Sequence, residues 1–183
     1  MKHNSLVTGG AGFLGSHLCD RLMQDGHDVL CVDNFFTGSK TNIAHLMGKT
    51  HFELMRHDVT FPLYVEVNQI FNLACPASPV FYQQDPVQTT KTSVHGAINM
   101  LGLAKRVRAK ILQASTSEVY GTAQFVPITE GHPLQGQSPY SATKIAADQL
   151  AYSFYSSFDL PVVTVRPFNT YGPRQSARAV IPT

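Results

Sequence analysis

The run Leu6-Val7-Thr8-Gly9-Gly10-Ala11-Gly12-Phe13-Leu14-Gly15 constrains the fold more than any other stretch, because a short apolar strand leads directly into a glycine turn that opens a helix. Gly9 permits the tight turn, Gly12 lets backbone N–H groups approach a pyrophosphate with no Cβ in the way, and Gly15 lets the helix pack close to the strand. The helix N-terminus then faces the phosphates. An ordinary glycine-rich strand-to-helix turn is the plainer reading of those three glycines. Eighteen residues after Gly15, however, a second strand over Asp28 to Val32 ends in Asp33. A carboxylate there can accept both hydroxyls of an adenosine ribose. It would repel a 2′-phosphate, and no arginine follows closely, so the pattern predicts NAD rather than NADP.

The rest of the chain alternates strands and helices. Apolar residues at helical spacing run from Phe13 to Leu22 and stop at Gly26; Asn34 to Lys40 is turn-like, with a short helical stretch near Asn42 to Met47. Strands are predicted at His51 to Met55, Gln69 to Ala74, Lys110 to Ala114 and Val162 to Val165. The proline-rich segment Cys75 to Pro86 is predicted as a loop, at the strand end where open α/β sheets bind ligands. Val87 to Val107 is predicted as a long helix with Val94, Ile98, Leu101 and Ala104 on one stripe; Gln124 to Pro139 is predicted as a loop before a helix starting near Tyr140. The fold class is therefore α/β, a Rossmann-type doubly wound parallel sheet in three α/β/α layers.

With 183 residues, 43% hydrophobic and 14% charged, the chain fits one well-buried domain. A net charge of +2 without lysine or arginine runs gives no reason to expect nucleic acid or a membrane surface as partner. Cys19, Cys31 and Cys75 lack CxxC spacing and are expected to be buried free thiols, and the eight histidines show no metal-ligand spacing. No metal is expected. With neither a signal region nor a membrane-length apolar run, a cytoplasmic protein is the expectation.

Two clusters bear chemistry: Ser115-Thr116-Ser117-Glu118 after the fifth strand, and Tyr140 with Lys144 four residues on, on one helical face. An ammonium beside a phenol stabilises the phenolate, and bringing a tyrosine from about 10 toward 7 takes roughly 4 kcal/mol of differential stabilisation. A tyrosine tuned in this way is a general base for an alcohol proton in nicotinamide-dependent oxidation. A packing or solvated Tyr/Lys pair is the plainer alternative.

Taken together, TGGAGFLG, Tyr140-Ser-Ala-Thr-Lys144 and RPFNTYGPR resemble the extended short-chain dehydrogenase/reductases that act on nucleotide sugars. Residues 1 to about 121, with VDNFFTG, HDV, CPASPVFYQQDPVQTTKTSVHGAINMLGLAKR and ASTSEVYG, resemble UDP-glucuronate decarboxylases, which make UDP-xylose. Residues 122–183, with FVPITEGHPLQGQSPYSATK and VTVRPFNTYGPRQSARAVIPT, are more similar to NAD-dependent nucleotide-sugar 4,6-dehydratases, and the decarboxylases' CYDEGK is absent. By this resemblance Gly9, Gly12, Phe13, Leu14, Gly15, Asp33, Asn34, Phe35, Phe36, Thr37, Gly38, Asp58, Val59, Leu73, Ala74, Thr92, Tyr140, Lys144 and Pro167 would line an NAD site. Tyr64, Lys91 and Asn169 would lean toward a UDP-sugar. Packing for Phe35 and Phe36, solvation for Lys91 and a turn role for Asn169 are the plain alternatives.

The resemblance implies oxidation of the sugar at C4, with Tyr140 as base, Lys144 tuning it, Thr116 or Ser117 bonding the 4-hydroxyl and Glu118 acting near C5. UDP-glucuronate decarboxylation leads; a 4,6-dehydratase, a 4-epimerase, and a non-catalytic NAD-binding module are the alternatives. Residues 1–183 would form the NAD-binding domain, the family's smaller sugar-binding lobe lying past Thr183. The helix Val87 to Val107 resembles the family's dimer-forming element, which implies a homodimer.

Overall fold

A computed structural model describes residues 3–175; Ile181-Pro182-Thr183 lies outside them. Six parallel strands form one sheet: β1 (Asn4–Thr8), β2 (Asp28–Asp33), β3 (Phe52–Arg56), β4 (Gln69–Asn72), β5 (Lys110–Ala114) and β6 (Val162–Val165). Their order is β3-β2-β1-β4-β5-β6, with the reversal between β1 and β4. That is the switch point at which such sheets open a ligand crevice. Because all neighbours are parallel, the residues that follow every strand emerge on one edge.

Alternation along the strands splits the core in two. Leu6, Val32, Ile70 and Ile111 pack with Met100, Leu101 and Ala151 on one face; Val7, Val29 and Cys31 pack with Cys19, Leu22 and Ile43 on the other. The second face is covered by α1 (Phe13–Gln24) and a 3-10 helix at Lys40–Leu46, the first by α3 (Pro86–Val107) and α4 (Pro139–Phe158). Each fully buried leucine or isoleucine contributes roughly 1.5–3 kcal/mol relative to exposure. A buried polar chain crosses the ends of the three central strands, Thr8 Oγ1 donating to Asn72 Oδ1 (2.7 Å) and Asn72 Nδ2 to Gln113 Oε1 (2.8 Å). With each member partnered, it fixes these ends relative to one another.

Local chemistry sets the helix ends. Asp85 caps α3 by accepting from the Gln88 amide at 2.8 Å, with Pro86 at the first position. Ser138 and Ser141 form a reciprocal cap for α4, followed by Pro139. The structure departs from the sequence reading in four places. Cys75 to Pro86 is not all loop, since Pro79–Gln84 forms the short helix α2. Ser117–Tyr120, unanticipated, is a turn of 3-10 helix. The buried stripe of α3 runs through small residues such as Gly96, Ala97 and Ala104, leaving Ile98 exposed, because the helix sits so close that a Cβ on Gly96 would lie 3.1 Å from Val59. Cys19 and Cys31 are buried free thiols, but Cys75 is only half-buried, with its Sγ 3.1 Å from Ser93 Oγ. Among the described residues no helix is long and apolar enough to cross a membrane, and no group of three metal-ligating side chains assembles.

Candidate active site

The glycine turn lies at the switch point and is held from both sides. Gly9 has φ +70° and donates its amide to Val32 O at 2.8 Å; a Cβ there would press on the Ala74 backbone at 3.0 Å. Gly15 is more tightly constrained, since a Cβ would fall 2.1 Å from Gly9 O. Gly12 caps α1 with no side-chain bond, so the first-turn amides of Phe13 and Leu14 have neither a side-chain nor an intrahelical acceptor, the condition under which a helix start takes phosphate oxygens. Leu73 and Ala74 line the other wall, their amides bonded to Thr8 O (3.2 Å) and Thr8 Oγ1 (3.3 Å).

Asp33 closes β2 and is 7% exposed. Its Oδ2 accepts from the Ala11 amide at 2.9 Å and its Oδ1 from the Phe35 amide at 2.8 Å, leaving each oxygen a further lone pair. Burial pushes this carboxyl above the usual aspartate range, and the two amides oppose the shift. The chain then turns through Phe35 at φ +61° and folds Asn34 to Gly38 back over the glycine turn, with the Ser39 amide on Ala11 O at 3.0 Å. Phe35 packs into the core, whereas Phe36 and Thr37 are exposed, Phe36 meeting Phe81 edge-on at 6.2 Å. Asp58 accepts from Asn34 Nδ2 at 3.2 Å and from the Thr60 amide and hydroxyl at 2.9 and 2.8 Å. Partial burial works against its charge, but these bonds outweigh it and hold the carboxyl below its ordinary value. Val59 is locked against α3, its carbonyl accepting from Asn99 at 2.8 Å, and the Thr92 hydroxyl donates to Gln88 O at 2.9 Å.

The second cluster lies beyond β5. Thr116 begins the 3-10 turn, its Oγ1 accepting from the Glu118 amide at 3.3 Å, and the Ser117 amide donates to Pro167 O at 3.0 Å. Tyr140, on the first turn of α4, is 5% exposed and hydrogen-bonded to Thr116. Burial is the largest influence on its phenol and pushes it well above the ordinary range; Cys75, Glu118 and Tyr82 push the same way, and Thr116 opposes. The expected lowering by Lys144 is therefore not a property of this chain alone. The reason is geometric: the buried Lys144 Nζ donates to Ala114 O at 3.1 Å and lies 5.8 Å from the centre of the Tyr140 ring.

Thr116, Glu118 and Tyr140 thus come together, and Ser117 and Pro167 meet beside them. Asn169 emerges exposed on the same edge of the sheet. The segment after β6 crosses to α1, where His17 Nε2 meets Pro173 O at 2.9 Å and Arg174 pairs with Asp20 at 2.7 Å. Lys91 opens onto a cavity of about 300 Å³ that it lines together with Asp58, Thr60, Phe61, Gln88 and His95. Tyr64 is not brought to the site: 78% exposed, it lies 5.9 Å from the Arg106 guanidinium at the far end of α3, beside the start of β4.

Two residues that the sequence reading did not single out join the cluster. Asp148, one turn beyond Lys144, is buried and pairs with Arg166 Nε at 2.9 Å; the 140, 144, 148 spacing was its available signal. Tyr82, on α2, stacks parallel on Tyr140 with ring centres 4.5 Å apart. No periodicity marks it, because the fold of the segment after β4 alone brings it there.

The family model described as GDP-mannose 4,6 dehydratase matches residues 6–183. UDP-glucuronic acid decarboxylase 6 of Arabidopsis thaliana is 52% identical over 177 residues, covering 93% of this chain and 52% of the relative. The dTDP-glucose 4,6-dehydratase of Bacillus anthracis, solved in complex with NAD, superposes with TM-score 0.87 at 30% identity over 98% of this chain and 58% of that one. The dTDP-glucose 4,6-dehydratase of Streptomyces venezuelae, solved with NAD bound, gives TM-score 0.90 at 28% identity, covering 98% and 60%. The chain spans about half the length of the curated relative it matches.

Proposed function

The chain belongs to the extended short-chain dehydrogenase/reductase family of nucleotide-sugar epimerases and dehydratases, and from that premise we propose that it carries the NAD-binding and catalytic half of a UDP-glucuronate decarboxylase. The observation that carries this reading is the cluster of Tyr140, Thr116 and Glu118 on the sheet edge into which the glycine turn and the uncapped start of α1 open. The crevice fits a dinucleotide, because Gly9 and Gly15 have no room for a Cβ, while Gly12 leaves first-turn amides for phosphate oxygens. Asp33 keeps lone pairs for the ribose hydroxyls. NAD, when bound, supplies the oxidation at the sugar's C4 and its later reversal.

The chain's own residues do the rest. Tyr140 takes the proton of the 4-hydroxyl, and Thr116 or Ser117 holds that oxygen by a hydrogen bond. Burial keeps the phenol protonated in the free chain, so proton abstraction requires positive charge nearby, and Lys144 is this chain's contribution to it. Once C4 is a ketone, the sugar acid is a β-keto acid: the bond from C5 to the carboxylate breaks, CO₂ leaves and the electron pair passes into an enolate at C4. Glu118 is assigned to the C5 side, where a proton must then be added. The similarity to a curated decarboxylase covers 93% of the chain, including the part after Gly121 that resembles the dehydratases.

A 4,6-dehydratase is the second reading, favoured by the matched family's description and by the solved neighbours. It asks for an acid at the 6-hydroxyl, and Ser117 is a poor one. The long helix α3 is proposed as the face of a homodimer, and Lys91 and Asn169 as groups toward the nucleotide sugar. Tyr140→Phe tests the assignment: NAD affinity should stay within about twofold while turnover falls by at least 10²-fold, and Lys144→Met should weaken both. A Tyr140→Phe variant that keeps most of its activity would transfer the base role to another residue, Glu118 first.

A further inference from the structure

Tyr82 lies on a six-residue helix at the mouth of the crevice, yet is only 8% exposed. Its ring is parallel to that of Tyr140 within 3°, with the ring centres 4.5 Å apart, and its hydroxyl interacts with the Glu118 carboxylate. Stacking of this kind fixes the plane of both rings, and a hydrogen bond from a fixed phenol fixes a carboxylate that is otherwise exposed and free to rotate. We propose that Tyr82 is a positioning residue of the active site: one side chain braces the face of Tyr140 and holds Glu118, so that the segment after β4 sets the separation between the C4-side base and the C5-side carboxylate. This rests on the reading of Tyr140 and Glu118 given above.

The titratable groups that act on or respond to Glu118 are Tyr82 from α2 and Tyr140 from α4, and Cys75, from the segment after β4, acts on Tyr140. The nearby cations are committed elsewhere, Lys144 to Ala114 O and Arg166 to Asp148. Burial raises the Glu118 carboxyl above its ordinary value, and the Tyr82 hydroxyl draws it back down. Burial first, and then the charge and proximity of the Glu118 carboxylate, raise the Tyr82 phenol. Two substitutions should therefore move two different titrations in opposite directions.

The test needs no substrate. The chain has four glutamates, Glu53, Glu66, Glu118 and Glu130, and no tryptophan, so carboxyl-¹³C glutamate NMR resolves Glu118, with Glu118→Gln as the assignment, and absorbance reads tyrosinate without interference. Tyr82→Phe keeps the ring and removes the donor. The Glu118 midpoint should rise while the other three stay in place. Glu118→Gln should bring down the tyrosinate transition of Tyr82, the one missing from Tyr82→Phe, as well as easing that of Tyr140. In turnover, Tyr82→Phe should lower kcat roughly tenfold to a hundredfold with the sugar's KM within twofold, and move the acid limb of the profile to higher pH. A Glu118 midpoint unmoved by Tyr82→Phe, or tyrosinate transitions unmoved by Glu118→Gln, would overturn the proposal and leave Tyr82 as packing. If Tyr82→Phe does not fold, Glu118→Gln is made in a Tyr140→Phe background, where a lowered transition can come only from Tyr82 of the two stacked rings. Because both titrations are independent of which sugar reacts, their failure is separate from failure of the decarboxylase reading.

Discussion

At Asp33, two backbone amides hold a carboxylate flat against the glycine turn, and the consequence is a cofactor preference. Its remaining lone pairs suit ribose hydroxyls, and its charge opposes a 2′-phosphate. NAD should bind at least tenfold tighter than NADP in a direct titration, and Asp33→Asn should narrow that ratio; equal affinities for the unmodified chain would show that the turn is misread. Asp33 was legible because both its signals, a strand end and a fixed distance from Gly15, are local. Tyr82 was not. Its place against Tyr140 depends on how Pro79–Gln84 folds between two caps, and nothing in its immediate neighbours states that. Tyr64 shows the converse: likeness to a family attached it to the sugar, but the fold sets it beside Arg106 at the other end of α3.

At the scale of elements, Asp58 ties the end of β2 to the end of β3 through Asn34 and Thr60. Its folded carboxyl lies below the ordinary value of 3.8, despite partial burial, because the Thr60 and Asn34 bonds stabilise the anion. The folded state therefore binds fewer protons than the unfolded one in that range. Stability from this group is present above pH 3.8 and is lost as pH falls through the lower folded value. Denaturant unfolding followed across that window should show an acid loss that Asp58→Asn flattens; an unchanged acid limb would remove Asp58 from the account. The elements themselves were largely readable, since alternating apolar strands and capped helices announce themselves in the chain. The short ones, α2 and the 3-10 turn at Ser117–Tyr120, were not, because one turn carries no period. The buried face of α3 was hard to read for a related reason: close approach to Val59 leaves little room beyond glycine at Gly96, and the buried stripe runs through small residues that a search for large apolar ones passes over.

For the molecule as a whole, the parallel sheet brings the ends of six strands to one edge, and the site is assembled from segments as distant in sequence as Gly9 and Pro167. The chain spans about half of its curated relative, so the central claim is best tested on the chain both as it stands and joined to a family member's remaining half. The residues that distinguish the reactions, Thr116, Ser117 and Glu118, are present in either case. The decisive measurement is mass spectrometry of the products from UDP-glucuronate, UDP-glucose and UDP-N-acetylglucosamine, each incubated with NAD and the protein. The account predicts that UDP-glucuronate alone reacts, with loss of one CO₂. Loss of one water from UDP-glucose or UDP-N-acetylglucosamine, with no CO₂ from UDP-glucuronate, would contradict it.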